Sequence, residues 1–413
     1  MRKRLGPFAH AAFSVYWSGG LLSNMGTWLQ NVAGSVFVYD RTGSALAVGV
    51  LNFATFAPIL LFSLTGGTVS DRIDRRLVIV VTHVVSLAIA SALAVLALAG
   101  QASELHVIVT AFLLQTSWAI AKPSASAMLP ALVERHEVSE AVGLNTLQFM
   151  VAQLVGPVVA TILLATSGVA WAFTINAATF LGPILAMAYL YSRGLGSHPV
   201  AEGRARRASS GVLGYVRSQP WIAWVLVGVV CTSSVLEVVR TLSPVLVTTR
   251  LHAPSSDTGL IVAAQSVGMV LGIFASVPIG RRGLSRAVAP VGLVLQALGL
   301  LFISLATELP VAAAAVALIG CGFSLTFPVL TSTLQTEVPD AIRGRVLAIH
   351  QMGHLGNRPV AALAAGAIAA AAGAPAASLG AIVLAPVALV AVRAAWRGLE
   401  RSVEPVKAAE AVS

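Results

Sequence analysis

Charge is scarce in this sequence. Only 10% of its 413 residues are Asp, Glu, Lys or Arg, against about a quarter in soluble domains. Cysteine is nearly absent. Cys231 and Cys321 each stand alone in an apolar segment, which leaves no disulfide framework and no CxxC metal spacing, and both are expected to be small buried hydrophobes. Lysine occurs three times and never in a G-xxxx-G-K-[ST] phosphate loop, which argues against ATP hydrolysis as an energy source. The longest polar stretch, Ser192 to Ser210, is too short to fold alone, so no extramembrane domain suits a receptor. Clustered acids or a Ser/His/Asp set near one face, which a membrane enzyme needs, are also missing. No alternating strand pattern is present.

Apolar residues fill the space. The chain is 57% hydrophobic, with a mean hydropathy of +0.86. Runs bounded by charge, Gly and Pro mark twelve spans, at 10–39, 44–69, 77–100, 105–128, 139–166, 170–192, 220–249, 257–279, 287–306, 309–333, 346–372 and 376–396. About 20 residues cross a bilayer as a helix, and lipid offers backbone amides no partner, so the expectation is an all-α polytopic membrane protein. The first run, Phe13 to Tyr39, is too long for a signal-peptide core and reads as a retained span. Two six-helix bundles, 1–192 and 220–400, flank a basic cytoplasmic linker at 193–219 with a surface helix over 211–218, and 401–413 forms a cytoplasmic tail.

Orientation follows from the cations. Of 26 Lys and Arg residues, 21 fall in the termini and alternate linkers that would share one side, while the opposite linkers hold only Arg41 and Arg250. This positive-inside asymmetry puts both termini in the cytoplasm of a bacterial inner membrane. The net charge of +10 is accordingly topogenic and implies anionic lipid rather than nucleic acid as its partner. The two halves repeat each other. A basic loop joins the second and third spans in each (Asp71 to Arg76, then Gly280 to Arg286), and a loop with Pro and acid joins the fourth and fifth (Pro130 to Glu140, then Glu337 to Arg345). Each fifth span also carries a proline, Pro157 and Pro359. Such a repeat suggests a substrate path near the midplane.

Ionisable groups inside spans cost about 3 kcal/mol each on insertion scales, so each needs a reason. Three cations and one acid qualify: Lys122, Arg240, Arg358 and Glu237. Glu237 and Arg240, at i and i+3, share a helix face. They are either a structural ion pair or a proton site whose affinity changes as the pair opens and closes. His350, His354 and Arg358, at i, i+4 and i+8, form a stripe that would face an aqueous cavity and could relay protons. Lys122 either snorkels to the cytoplasmic face or lines the cavity. Gln30, Asn31, Gln115, Asn145, Gln148, Gln153 and Gln265 are uncharged candidates for the wall. Trp28 and Trp118 could stack on a ring, while Trp171 and Trp221 read as interface anchors. If the cations line one cavity, an anionic cargo is implied, with Arg358 and Lys122 among its ligands. No metal or cofactor is expected.

The segment Gly67-Thr-Val-Ser-Asp71-Arg72-Ile-Asp74-Arg75-Arg76 resembles the G-xxx-D-R-x-G-R-R signature of the major facilitator superfamily, with Asp74 where Gly is usual. Ser23 to Gln30, Val38 to Ser44 and Val338 to Val346 look like the exporter branch that includes enterobactin-type siderophore exporters and tetracycline or macrolide efflux pumps. The resemblance implies the major facilitator fold. It also implies a cytoplasmic charge latch formed by Gly67, Asp71, Arg72, Arg75 and Arg76. Gly143 to Ala160 loosely resembles the fifth-span antiporter motif, with Ala152 and Ala160 in glycine positions, and close helix packing explains that stretch equally well. The expectation is a monomeric secondary transporter that exports a drug, antibiotic or siderophore by alternating access with proton antiport. Uptake of a small metabolite is the alternative. Protons, lipid and a small-molecule cargo are the implied partners.

Overall fold

The computed structural model describes residues 6–195, 212–281 and 285–410. Arg2, Lys3 and Arg4, most of the 193–219 linker and Arg282 lie outside the described residues. Among those described there are no strands. The helices are α1 (Ala11–Thr42), α2 (Ala45–Arg72), α3 (Arg75–Leu98), α4 (Glu104–Met128), α5 (Val138–Thr166), α6 (Val169–Thr179), α7 (Leu181–Ser192), α8 (Val212–Ser218), α9 (Pro220–Thr249), α10 (Thr258–Arg281), α11 (Ser285–Leu305), α12 (Leu309–Glu337), α13 (Asp340–Gly356), α14 (Arg358–Ala372), α15 (Ala374–Ala381) and α16 (Leu384–Glu410).

Eleven helical stretches among the described residues are long and apolar enough to cross a bilayer. The exception in the first half is α1, which is long enough at 32 residues but rich in Ser, Asn, Gln and Gly. It packs against α2, α4, α5, α6 and α7, and a helix enclosed by other helices need not be apolar to leave water. α9 plays the same part in the second half, where every residue from Cys231 to Val247 is buried.

Several boundaries differ from the apolar runs. The sixth span is interrupted at Phe180, between α6 and α7, with Pro183 in the first turn of α7. The eleventh breaks at Asn357, because Pro359 has no N–H to give the preceding turn. The Glu337–Arg345 loop shrinks to Val338 and Pro339, since Asp340 opens α13. α16 runs on to Glu410, past residue 400.

The chain packs as two compact units. The first comprises Met1–Arg204 with Ala253–Ala263, and the second Ala205–His252 with Ala264–Ser413. Residues 253–263 thus join the first unit, where the Ser255 hydroxyl donates to Asp40 at 2.8 Å. Two glycines set helix spacing where it matters below. A Cβ on Gly156 would stand 2.6 Å from the Trp28 Cβ, and one on Gly320 would stand 2.1 Å from the Gln265 carbonyl oxygen. Ala152 and Ala160 are fully buried, and Gly156 is the motif residue seen directly against α1. Trp221 is a correction. It is 2% exposed within the apolar core of the second unit, whereas Trp171 is 52% exposed. The difference arises because α8 and α16 cover the start of α9.

Candidate functional site

Two polar features stand out, one in each unit. The first unit encloses a cavity of about 140 Å³ between α1, α3, α4, α5, α6 and α7. Gln30, Asn31, Trp118, Lys122, Asn145 and Gln148 line it, as does Gln115. Lys122 is therefore on the cavity wall, where its ammonium lies 5.5 Å from the centre of the Trp118 ring. No carboxylate is among the lining residues.

The lining amides divide in two. Gln30 accepts a hydrogen bond from Asn176, and Gln148 donates to the Trp17 carbonyl while accepting from Asn24 at 3.2 Å. Those four amides tie α1 to α5 and α6 and so hold the wall together. Asn31, Gln115 and Asn145 are half-buried and have no side-chain hydrogen bond among the described residues. Trp28 does not line the cavity. It is 6% exposed and stands behind Phe149, ring to ring at 6.1 Å and edge-on, because Gly156 lets it sink between α1 and α5. Asn24, Asn176, Tyr16 and His83 line the cavity and escaped the sequence reading. Their signal was available, since an amide or imidazole inside an apolar span is a functional candidate by default.

The second unit holds a buried charge cluster. Glu237 is fully buried. One carboxylate oxygen, Oε2, lies 3.4 Å from the Arg240 guanidinium and 3.3 Å from Arg358 Nε. The other, Oε1, has no hydrogen-bond partner. Arg240 also donates to the Gln265 side chain at 3.2 Å, and Gln265 donates to the Leu236 carbonyl at 3.3 Å. Gln265 and Arg358 thus belong to this cluster and not to the first unit's cavity. The i, i+3 pair foreseen from the sequence is one arm of a carboxylate shared between α9 and α14.

The His350–His354–Arg358 stripe crosses one gap in the helical hydrogen bonds at Asn357, whose backbone stays helical at φ −78° and ψ −23°. Asn357 donates to the Val230 carbonyl and to Ser234, both on α9, and this anchors the break. His354 bonds to Ser233 at 2.7 Å and packs on Phe327 at 4.6 Å. His350 is fully buried, with Thr331 at 3.2 Å and Phe327 at 5.2 Å. His350 is fully buried and His354 half-buried, both against Phe327 of α12. The apolar ring of Phe327 between them was unreadable from α13 alone.

The loop after α2 shows a different pairing from the one expected. Asp71 and Arg72 are exposed. The ion pair is Asp74 with Arg76, at 2.8 Å, and Arg76 also donates to the Leu195 carbonyl and stacks on Tyr191 at 4.2 Å. Arg75 donates to the Ala127 carbonyl at 2.9 Å. Asp74 additionally caps α3, accepting from the Arg76 amide at 2.8 Å. The hydrogen bonds from Arg76 hold its carboxyl below the usual carboxylate range. The aspartate that departs from the superfamily signature is thus a helix cap. Gly67 has open space around it, while Gly66 is the residue pressed on α4, 2.6 Å from the Ala119 carbonyl oxygen were a Cβ present.

Over residues 3–411 the chain matches the family model described as transmembrane secretion effector, and it belongs to that family within the major facilitator superfamily. It is 26% identical to the multidrug efflux pump Tap of Mycolicibacterium fortuitum, over 84% of this chain and 87% of that one. It is 24% identical to the enterobactin exporter EntS of Citrobacter koseri, over 87% and 86%. A shorter match, 27% identical over 36% of this chain, is to the staphyloferrin A transporter of Staphylococcus aureus and spans 38% of that protein. Among solved structures, the nucleoside transporter NupG superposes with a TM-score of 0.75 at 12% identity, covering 94% of this chain and 99% of that one. A bacterial homologue of ferroportin gives 0.74 at 14%, covering 92% and 98%. The chain is a major facilitator transporter, not an enzyme.

Proposed function

We propose that this chain exports small organic molecules across the bacterial cytoplasmic membrane as a monomer, by alternating access, in exchange for protons. The cargo site is the cavity of the first unit. Both termini face the cytoplasm, a reading supported by the cation asymmetry of the linkers. The direction of transport draws support from relatives named for efflux and export.

The observation that carries the coupling is the buried Glu237 carboxylate, shared between Arg240 and Arg358 with its other oxygen unbonded. A proton arriving on that free oxygen removes the charge that holds both arginines. It thereby loosens α9 from α14 at the Asn357 break. A group that binds two helices in one protonation state and releases them in the other is a two-state element that a proton can bias. His354 and the arginines are the charged or titratable neighbours that face it.

The test uses purified protein in liposomes of known orientation. Wild-type protein drives substrate out of the compartment equivalent to the cytoplasm when a pH gradient is imposed. Glu237→Gln loses that concentrative transport but retains exchange of labelled for unlabelled substrate. Accumulation in the opposite direction would replace export with uptake. Gradient-driven transport that survives Glu237→Gln would remove the proton site.

A further inference from the structure

We infer that the first unit's cavity binds an aromatic monoanion, with Lys122 holding its single oxyanion, Trp118 facing the adjoining ring, and Asn31, Gln115 and Asn145 supplying hydrogen bonds. The inference rests on reading this cavity as the cargo site and adds the chemical class of the cargo.

Lys122 is the cation of this cavity. A lysine within a span is costly and is ordinarily paired. Glu237 pairs the other two intramembrane cations in the second unit. Lys122 has no carboxylate partner among the described residues, and its contact is the face of Trp118. A cation on an aromatic face is only partly compensated, so the site holds one unit of unspent positive charge and has no acid to oppose it. A monoanion completes it. A cation would be repelled, and a dianion would leave one charge unmatched.

The second observation is the division of the amides. Gln30, Asn24, Gln148 and Asn176 bond to each other and to backbone, with the buried Oδ1 of Asn176 left unbonded. Asn31, Gln115 and Asn145 do not, and they share the same cavity. Each offers both a donor and an acceptor. Gln115, Trp118 and Lys122 are spaced by three and four residues, which aligns them along one face of α4. That face presents an amide, a flat ring and a cation in sequence. It fits a molecule with a ring beside its anionic group and further polar substituents beyond. Lys122 is exposed to the cavity and the three amides are half-buried, so an apolar or cationic drug would strip water from four polar groups without replacing its hydrogen bonds, and that cost is what a binding site discriminates by.

Three probes matched in size decide the question: 1-naphthoate, the neutral 1-naphthamide and 1-naphthylmethylammonium. Binding to the full-length protein in lipid nanodiscs is read from quenching of tryptophan emission, and Trp118→Phe identifies the signal from the site. The wild-type protein is expected to bind naphthoate at least tenfold more tightly than either of the others. Lys122→Gln should erase that preference, and an unfolding temperature within a few degrees of the wild type's shows that the variant is folded. Lys122→Arg should keep the preference for naphthoate. The inference is overturned if the ammonium probe binds tightest, if naphthoate shows no saturable binding, or if Lys122→Gln keeps the preference intact. Intact naphthoate binding with no outward transport would sink the export reading and leave this one standing.

Discussion

Replacing Glu237 should separate what the carboxylate does for stability from what it does for coupling. Its Oε2 atom holds Arg240 and Arg358 at 3.4 and 3.3 Å. At an effective dielectric of about 20, each contact is worth about 5 kcal/mol before desolvation takes back most of it. Removing one partner of a buried pair costs about 3–5 kcal/mol, because a charge is left behind uncompensated. In this cluster the loss leaves two guanidinium groups and raises the local net charge from +1 to +2. Glu237→Gln should therefore lower the thermal stability of the purified protein by an amount in that range. Glu237→Gln combined with Arg240→Gln returns the cluster to +1, with Arg358 as its remaining charge. That double variant should recover most of the lost stability and yet stay uncoupled from the pH gradient. The measurements are thermal unfolding in detergent and gradient-driven transport in liposomes, run side by side. If the double variant recovers gradient-driven transport together with stability, charge balance alone is what the cluster supplies and Glu237 carries no proton.

Asp74→Ala removes the cap of α3 and the partner of Arg76, so it should cost about 1 kcal/mol near neutral pH. The folded-state carboxyl sits below its ordinary value, so this contribution is present above about pH 4 and fades as pH falls through the folded value. The difference in unfolding temperature between wild type and variant should shrink in acid. Gly320→Ala forces a methyl group against the Gln265 carbonyl at 2.1 Å. Backbone on both sides cannot yield cheaply, so a loss of about 1–3 kcal/mol is expected, along with reduced transport, because Gln265 supports Arg240. Trp221→Ala should cost about 3–5 kcal/mol as a core truncation, and Trp171→Ala less than about 0.5 kcal/mol; equal effects would return Trp221 to the membrane interface. A monoanion leaving while a proton enters moves two charges in the same electrical sense. An inside-negative potential should therefore assist export by about 4.6 kcal/mol per 100 mV, and a transport rate indifferent to a potassium-diffusion potential would refute that stoichiometry.

Much of the architecture was legible because lipid imposes so few choices. Apolar run length gave the spans, and backbone self-satisfaction made them helical. The 71–76 segment carried the superfamily. What stayed hidden was the pairing of particular side chains. Glu237 and Arg240 are visible as an i, i+3 pair, but Arg358 lies 121 residues downstream of the carboxylate it meets, and helix periodicity says nothing about a third partner on another helix. The stripe His350–His354–Arg358 crosses a gap in the helical hydrogen bonds at residue 357. Pro359 gave a warning, and the anchoring of Asn357 on Val230 and Ser234 completes the break. Trp221 looked like an interface anchor because it follows a polar linker, and nothing local reveals that α8 and α16 cover it. The amides of the first unit were legible as candidates. Their division into wall and site was not, since it depends on which of them find one another.

That division also reorganises the intramembrane charge. Counted along the sequence, three cations against one acid suggest a single positive cavity. Within each unit the structure shows which partners these groups find. Arg240 and Arg358 share Glu237 in the second unit, where a proton can act on the carboxylate. Lys122 stands in the first unit with no acid lining its cavity. The difference in partners matters for coupling. An anion bound directly by Arg240 and Arg358 would displace Glu237, leave it unpaired and favour its protonation, so cargo and proton would bind together, as in symport. Antiport requires that they not promote each other at one site. On the proposed reading, cargo charge held on Lys122 stays off the arginines, and the effect of a proton on Glu237 need not pass through competition for the same guanidinium groups.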